Sequence, residues 1–217
     1  MNHYATSAAF AAATVLLCSC AATSVKTTWT APDYTGGPVG SVAVLAVQER
    51  GMLRAGIENR FAKELKNAGK TATPTYELLS LGQIKENREA AVADLQKAGA
   101  KTVLIIRLVD KDSQERSFRA GREEYAPVVT GYSPGIGYGP YDWYGYYSLA
   151  YQDMGTVWST QSKRFLLESS LFELGSGKRI WACLTDTTLV ENADSLVELD
   201  RLASKVVGAL QADQLIQ

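Results

Sequence analysis

The residues whose types and spacing favour covalent chemistry lie at the N-terminus. After a short polar start, an apolar stretch runs from Ala8 to Leu17 and ends in Leu17-Cys18-Ser19-Cys20. This stretch has the length of a signal-peptide core and is too short to cross a bilayer, which needs about 20 apolar residues. Residues 1–19 are therefore predicted to be a signal peptide that is removed before Cys20.

The end of that segment, Leu17 to Cys20, resembles the lipobox of bacterial lipoproteins. In that family a leucine and a small residue precede the cut, and the cysteine sulfur accepts a diacylglyceryl group. The resemblance implies that Cys20 is lipidated and that acyl chains such as palmitate hold the mature chain on a membrane, with about 0.8 kcal/mol from each buried CH₂. Ala21 in place of an aspartate implies, as in enteric-type bacteria, an outer-membrane lipoprotein facing the periplasm.

Removal of the signal peptide takes away the only histidine, His3, together with Cys18. A chain without histidine cannot form a Ser-His-Asp triad, a Cys-His pair or a His-ligated zinc site. With lipid on Cys20, the remaining cysteine is Cys183, so an intramolecular disulfide is excluded, and its apolar neighbours predict a small buried side chain. We expect no enzymatic activity, no cofactor and no metal.

Several other segments contain the residue types of phosphate-binding loops, nucleophile elbows or acid–base pairs but lack the neighbouring structure that such sites need. Gly135–Gly139 lies between two prolines with no predicted helix after it, so it lacks the helix N-terminus of a phosphate-binding loop. Gly175-Ser176-Gly177 and the residues after it fit neither a P-loop nor a nucleophile elbow, and they indicate a hairpin turn. The acidic pairs are expected on a solvated face, because perturbed carboxylates need burial or close partners; they are Asp110/Asp112 and Glu123/Glu124.

Residues 120–155 form a Tyr/Gly-rich insert in which neither helical nor strand periodicity is visible. Eight tyrosines lie between Tyr125 and Tyr151, together with Trp143 and repeated Gly and Pro. Such rings suit contact with a protein, a glycan or a membrane interface, because they are amphipathic and lose little side-chain entropy. The alternative is a low-complexity loop that folds over the sheet or stays disordered. The candidate contact residues are Tyr138, Tyr141, Trp143, Tyr144, Tyr146 and Tyr147.

The first elements that must position this insert follow the signal peptide. Residues 20–40 predict a lipidated tether and lead-in segment with strand-like alternation, and residues 41–217 predict a single α/β domain. The continuous apolar run Val42–Val47 is typical of a strand covered on both faces. Met52–Ala68 is predicted to be a helix with one apolar stripe, with Arg54 and Glu58 toward water and Gly69 ending it in a left-handed turn.

The later elements alternate between strands and helices. Pro74 predicts that the strand at 71–79 lies at an edge or a bulge, because proline cannot complete a ladder. The predicted segments are a helix at 84–98, a central strand at Thr102–Val109, a hairpin of Lys163–Leu174 and Lys178–Thr188, and a helix at Ala193–Leu210 capped by Asn192 or Asp194. The order strand-helix-strand-helix-strand-hairpin-helix predicts an α/β fold, a mixed sheet with helices packed on it.

Beyond the N-terminus, the chain resembles uncharacterised bacterial lipoproteins grouped under domain-of-unknown-function labels. The matching segments are Trp29–Gly37, the strand at Val42, the strand at Lys101–Asp110, the Tyr/Gly insert and the hairpin Leu171–Trp181. The order of elements is also similar, more distantly, to periplasmic lipoprotein domains that activate cell-wall synthases or form curli-export channels. This resemblance implies a place in the cell envelope and no particular activity, since fold does not imply function.

The charge balance excludes one class of partner. The chain has 22 Lys+Arg against 23 Asp+Glu, so it lacks the basic excess of a nucleic-acid-binding protein. The leading hypothesis is a non-enzymatic binding or scaffold module, anchored to the membrane and contacting an envelope protein or glycan. The alternative is a structural subunit of an envelope export or surface-appendage assembly. A third hypothesis is a hydrolase that uses Ser, Lys or carboxylates instead of histidine.

Overall fold

The computed structural model describes residues 22–109, 142–153, 164–188 and 195–217. Within them the chain forms one six-stranded sheet with helices packed on it, which confirms the predicted fold class. The strands are β1 (Ala22–Thr30), β2 (Ser41–Ala46), β3 (Thr71–Pro74), β4 (Thr102–Val109), β5 (Arg164–Glu173) and β6 (Arg179–Thr188). The helices are α1 (Gly51–Asn67), α2 (Leu81–Glu86), α3 (Arg88–Lys97), α4 (Trp143–Asp153) and α5 (Ser195–Ala212).

The sheet has the order β1-β6-β5-β4-β2-β3. Strands β3, β2 and β4 are mutually parallel, whereas β4, β5, β6 and β1 pair antiparallel. The prediction that β4 is central is confirmed, and its apolar run is buried because helices cover both faces. Pro74 lies on the edge strand β3, as predicted, but that strand ends there because the carbonyl of Thr75 accepts from Leu78 and Leu79 in a turn.

Strand β1 brings the start of the described chain into the sheet. It pairs with β6 from Ala22 onward, with a bulge at Lys26 between Val25 and Thr27. The alternation of apolar and polar residues predicted a short strand here, within a segment interpreted as tether and lead-in. The structure adds that this strand is one edge of the main sheet, so the sheet begins two residues after Cys20.

Local capping explains where the helices begin and end. Helix α1 lies within one residue of its predicted bounds, and Gly69 after it has a left-handed φ of 76°, as predicted. The single helix predicted at 84–98 is wrong, because Asn87 ends α2 and its side chain accepts from the Ala90 N–H to cap α3. Helix α5 confirms the last predicted helix, and its proposed caps, Asn192 and Asp194, lie outside the described residues.

The helices form two layers, one on each face of the sheet. Helices α1 and α5 pack on one face around Phe61, Trp181 and Val206, and α2, α3 and α4 pack on the other around Ile84, Leu95 and Tyr146. In the part of the chain that the structure describes, no helix combines the length and apolarity needed to span a bilayer. The second layer carries the part of the Tyr/Gly insert that the structure describes.

Candidate functional site

Four of the six predicted contact residues lie on α4, where the sequence showed no helical period. Trp143, Tyr146 and Tyr147 are fully buried, because residues three and four apart share the helix face that packs on the sheet. The expectation that these three rings are exposed for contact is therefore wrong. Tyr144 lies at the edge of this face, packs against the same cluster and is only partly buried. Tyr138 and Tyr141 lie outside the described residues, as does Cys20.

The hairpin turn between β5 and β6 fixes the start of α4. The backbone N–H of Trp143 donates to the Gly177 carbonyl at 3.0 Å. The Asp142 carboxylate accepts from the backbone N–H of Gly145 at 2.8 Å and caps the helix. Arg88 on α3 pairs with the same carboxylate at 2.5 Å. Gly177 has a φ of 75°, and a Cβ there would approach the Asp142 Cβ to 3.1 Å, so both backbone conformation and space favour glycine.

The outer side of α4 is the flank of the helix that carries Tyr144 and Tyr151, whose rings remain partly accessible to solvent. The Tyr144 hydroxyl donates to the Lys85 carbonyl at 2.6 Å, and the Arg88 guanidinium lies 5.8 Å from its ring centroid. About two turns further along α4, the Lys85 ammonium lies 5.2 Å from the centroid of the Tyr151 ring. Two partly exposed tyrosines, each with a cation at its ring, are what this helix offers to a partner.

Beneath α4 lies a buried charge cluster, the Glu168 cluster, which joins β4, β5, β6 and α4. Both oxygens of Glu168 are engaged: Oε2 accepts from Arg107 at 2.5 Å, and Oε1 accepts from Arg179 at 3.1 Å and from the Ser170 hydroxyl at 3.0 Å. The Arg107 Nε donates to the Tyr146 hydroxyl at 2.9 Å. One carboxylate thus binds two buried guanidinium groups and fixes the tyrosine above them.

The surroundings of Tyr146 and Arg107 in this cluster shift the pKa of both groups. Burial raises the pKa of Tyr146 well above its ordinary value, with a further increase from the charge of Glu168, and the two arginines do not offset it. For Arg107, burial lowers the pKa, but Glu168 and Tyr146 outweigh it and the pKa is raised. Tyr146 is therefore neutral and Arg107 charged at any physiological pH, so the hydrogen bond between them joins α4 to β4 without a change of protonation.

A second buried carboxylate, Glu58 on α1, closes the ends of two parallel strands. Its Oε1 accepts from the Ala46 N–H at 3.0 Å and from Arg54 at 2.7 Å, and its Oε2 accepts from the Tyr76 N–H at 2.6 Å. The Thr75 hydroxyl lies 3.2 Å from both oxygens. The prediction that Arg54 and Glu58 face water is wrong, because the N–H groups of Ala46 at the end of β2 and of Tyr76 after β3 need an acceptor at this point.

The other predicted side chains have structural surroundings. Cys183 is buried, as predicted, and burial, followed by the charges of Asp213 and Glu168, raises the pKa of its thiol to about 12. Ser176 lies in the predicted hairpin turn and donates to Glu173 at 2.5 Å. Gly135–Gly139 and both acidic pairs, Asp110/Asp112 and Glu123/Glu124, lie outside the described residues. The described residues contain no group of three His, Cys, Asp or Glu that could hold a metal ion.

Comparison with known proteins gives similar solved structures. No family model and no curated protein matches the chain. A PelC dodecamer from Paraburkholderia phytofirmans is similar over 90% of this chain and 100% of its own, with 14% identity and a TM-score of 0.45. A leucine-to-methionine variant of that dodecamer is similar over 89% of this chain and 99% of its own, with 14% identity and a TM-score of 0.44. At this level of similarity neither comparison assigns a function to the chain.

Proposed function

We propose that the chain is a lipoprotein of the bacterial cell envelope, held on the outer membrane by lipid on Cys20, and that it acts there as a non-enzymatic binding or scaffold module. The observation that carries the proposal is the position of β1. This strand pairs with β6 from Ala22, so a lipid on Cys20 would be joined to the sheet through Ala21 alone. A rigid sheet fixed so closely to its lipid anchor suits a scaffold module, which holds a binding partner at a defined distance from the membrane.

The buried charges support a scaffold in a second way. Glu58 and Glu168 have all four carboxylate oxygens occupied by N–H or hydroxyl donors. Each holds together elements that lie far apart in the chain, which stiffens both helical layers relative to the sheet. Groups used in this manner stabilise one geometry and leave no carboxylate oxygen free for a substrate.

The anchor is tested by fractionating cells that express the full chain, Cys20→Ala and Cys18→Ala. We expect the unchanged chain and Cys18→Ala in the membrane fraction, because Cys18 belongs to the removed signal peptide. Cys20→Ala should lose its acyl chains and move to the soluble fraction, or accumulate as an uncut precursor without lipid. Recovery of labelled palmitate on Cys20→Ala would contradict the proposal.

The binding role is tested by a photo-crosslinking residue placed at Tyr144, on the outer side of α4. The matched control is the same residue at Tyr147, which is buried on the inner side of the same helix. We expect an envelope protein or glycan to be captured from position 144 and not from position 147. Capture of several different subunits of one assembly would favour the alternative role in an export or surface-appendage complex, and no capture from position 144 in intact cells would contradict both roles.

A further inference from the structure

The exposed apolar side chains of the described residues are few and lie close to one end of the sheet. Large apolar side chains that face solvent are Met52 (93% exposed), Val197 (44%), Leu78 (39%) and Val25 (37%). Single exposed apolar residues are ordinary on a protein surface. These four residues come from four separate parts of the chain, one strand, one turn and two helices.

The strand register shows that the four positions share an end. Ala22 at the start of β1 lies opposite Thr188 at the end of β6, which in turn lies opposite Arg164 at the start of β5. Leu166 near the start of β5 lies opposite Val109 at the end of β4. The parallel pairs then place the ends of β2 and β3 at this same end of the sheet, which we call the anchor end.

Each exposed apolar residue belongs to an element that starts at the anchor end or follows a strand ending there. Val25 lies in the first half of β1, and Leu78 lies in the turn after β3. Met52 lies in the first turn of α1, which follows β2, and Val197 lies in the first turn of α5, which follows β6. All four side chains are therefore at or near the anchor end.

The predicted lipid attachment site is next to this same end. Cys20 precedes Ala22 by two residues, and two residues of extended chain span at most about 7 Å. Lipid on Cys20 would therefore hold the start of β1 within about 7 Å of the headgroup region of a bilayer. A protein partner of any size could not enter so narrow a gap at the β1 side.

We infer that the anchor end is a membrane-contacting surface, on which Met52, Leu78, Val25 and Val197 enter the interface of the bilayer that holds the lipid. The inference rests on the proposed lipidation of Cys20 and adds an orientation: the parallel strands point their carboxyl ends at the membrane, and the β5–β6 turn lies at the distal end. A flexible, unbranched methionine side chain is well suited to disordered acyl chains. Apolar contact at the interface adds to the affinity that the acyl chains supply.

The charges beside these residues indicate what kind of bilayer contact this is. The exposed residues next to them in the sequence carry both signs, Lys26 and Arg50 against Glu49 and Glu77. The contact therefore has no local excess of positive charge that would require anionic lipid. We expect it to persist at about 1 M salt, where charges are screened within about 3 Å.

The anchor alone does not bring Met52 to the bilayer, which makes the inference testable. Strands β1 and β2 are separated by β6, β5 and β4, a distance of about 19 Å across the sheet. A domain that tilted or swung on its lipid would lift α1 away from the surface. Only a domain seated on its anchor end holds both edges of the sheet at the interface.

The test places a single environment-sensitive fluorophore on the full lipidated chain in phosphatidylcholine vesicles. The reporters are Met52→Cys and Leu78→Cys, and the matched control is Asn67→Cys at the other end of α1, about 22 Å along the same helix. Labelling is specific because Cys20 carries lipid and Cys183 is buried. We expect a blue shift at positions 52 and 78 and loss of their fluorescence when brominated acyl chains are included, with no change at position 67.

The other outcomes separate the inference from the proposed function. If the chain floats with the vesicles and brominated lipid leaves position 52 unquenched, the orientation is refuted while the lipid anchor stands. If the chain with intact Cys20 does not float, both are refuted. A blue shift at position 52 that depends on protein concentration and resists brominated lipid would mean that a second copy covers this end, which also overturns the inference.

Discussion

Two buried glutamates, Glu58 and Glu168, hold this fold together in different ways. Glu58 accepts from two backbone N–H groups, one arginine and one hydroxyl at the ends of β2 and β3. Glu168 accepts from two arginines and one hydroxyl in the middle of β5, beneath α4. The first carboxylate completes the backbone hydrogen bonding of strand ends and pairs with one buried guanidinium, whereas the second pairs with two.

This difference predicts unequal consequences of losing the charge. A glutamine in place of Glu58 keeps one acceptor oxygen for one backbone N–H group, turns its NH2 group toward the other, and leaves one buried guanidinium, that of Arg54, without its carboxylate. An amide in place of Glu168 leaves two guanidinium groups in the core without a compensating carboxylate from this position. Buried charges that lose their partner destabilise far more than buried neutral groups do.

The largest expected effect is therefore that of Glu168→Gln. We expect the free energy of unfolding to fall by about 3–5 kcal/mol, which is the range for breaking a buried ion pair from one side. Urea denaturation followed by circular dichroism measures it. The control is Glu173→Gln on the exposed end of the same strand, which should change stability by less than about 0.5 kcal/mol. Equal effects of the two variants would show that the Glu168 cluster is not what couples β5 to its neighbours.

The next effect is that of Glu58→Gln, for which we expect a loss of about 2–3 kcal/mol, because one backbone N–H group loses its acceptor and Arg54 loses its carboxylate. Glu64→Gln, which is half-buried on the same helix, serves as the control. Hydrogen exchange should also accelerate at the amides of Ala46 and Tyr76, because Glu58 accepts from both. A loss larger than that of Glu168→Gln would reverse the comparison and show that strand-end closure matters more than charge neutralisation.

The two glutamates also show how far the sequence alone leads. Glu58 was interpreted as solvated because it follows the spacing of polar residues on an amphipathic helix, and nothing in that helix reports the unpaired N–H groups of β2 and β3. Arg107 interrupts the apolar strand run Val103–Val109, and Glu168 directly follows the apolar residues Phe165–Leu167 of another strand. A charge inside such a run is a signal of a buried partner, since charged residues are seldom buried alone.

The fold and the contact residues were predicted to different degrees for the same reason. Local apolar runs and turn residues were enough to predict the β5–β6 hairpin, the central position of β4 and the burial of Cys183. The burial of Trp143, Tyr146 and Tyr147 depends on a face of the sheet that the insert itself does not specify. Helix α4 was not predicted from the sequence, because the segment is rich in tyrosine, which favours helices only weakly, and in glycine, which disfavours them.

A third prediction concerns Tyr146, the aromatic member of the Glu168 cluster. Tyr146→Phe removes the acceptor of the Arg107 Nε, so we expect a loss of about 1–2 kcal/mol at neutral pH. Burial raises the pKa of Tyr146, so above about pH 10 the unfolded chain releases a proton that the folded chain keeps. Stability must then fall as pH rises past that point, by up to about 1.4 kcal/mol per pH unit. The Phe variant should lose stability less steeply than the unchanged chain, and parallel curves from pH 9 to 11 would contradict this.

The smallest expected effect tests the outer side of α4 against its inner side. Tyr144→Phe removes the hydroxyl that donates to the Lys85 carbonyl, a partly solvated hydrogen bond, and should cost less than about 0.5 kcal/mol. Tyr147→Phe removes an inner hydroxyl that donates to the Leu81 carbonyl at 3.0 Å, and should cost about 1 kcal/mol. Thermal unfolding of both variants gives the ranking. If Tyr144→Phe is as stable as the unchanged chain but Tyr144→Ala loses the crosslinked partner, the outer ring is retained for contact, because its role in folding would already have been shown to be small.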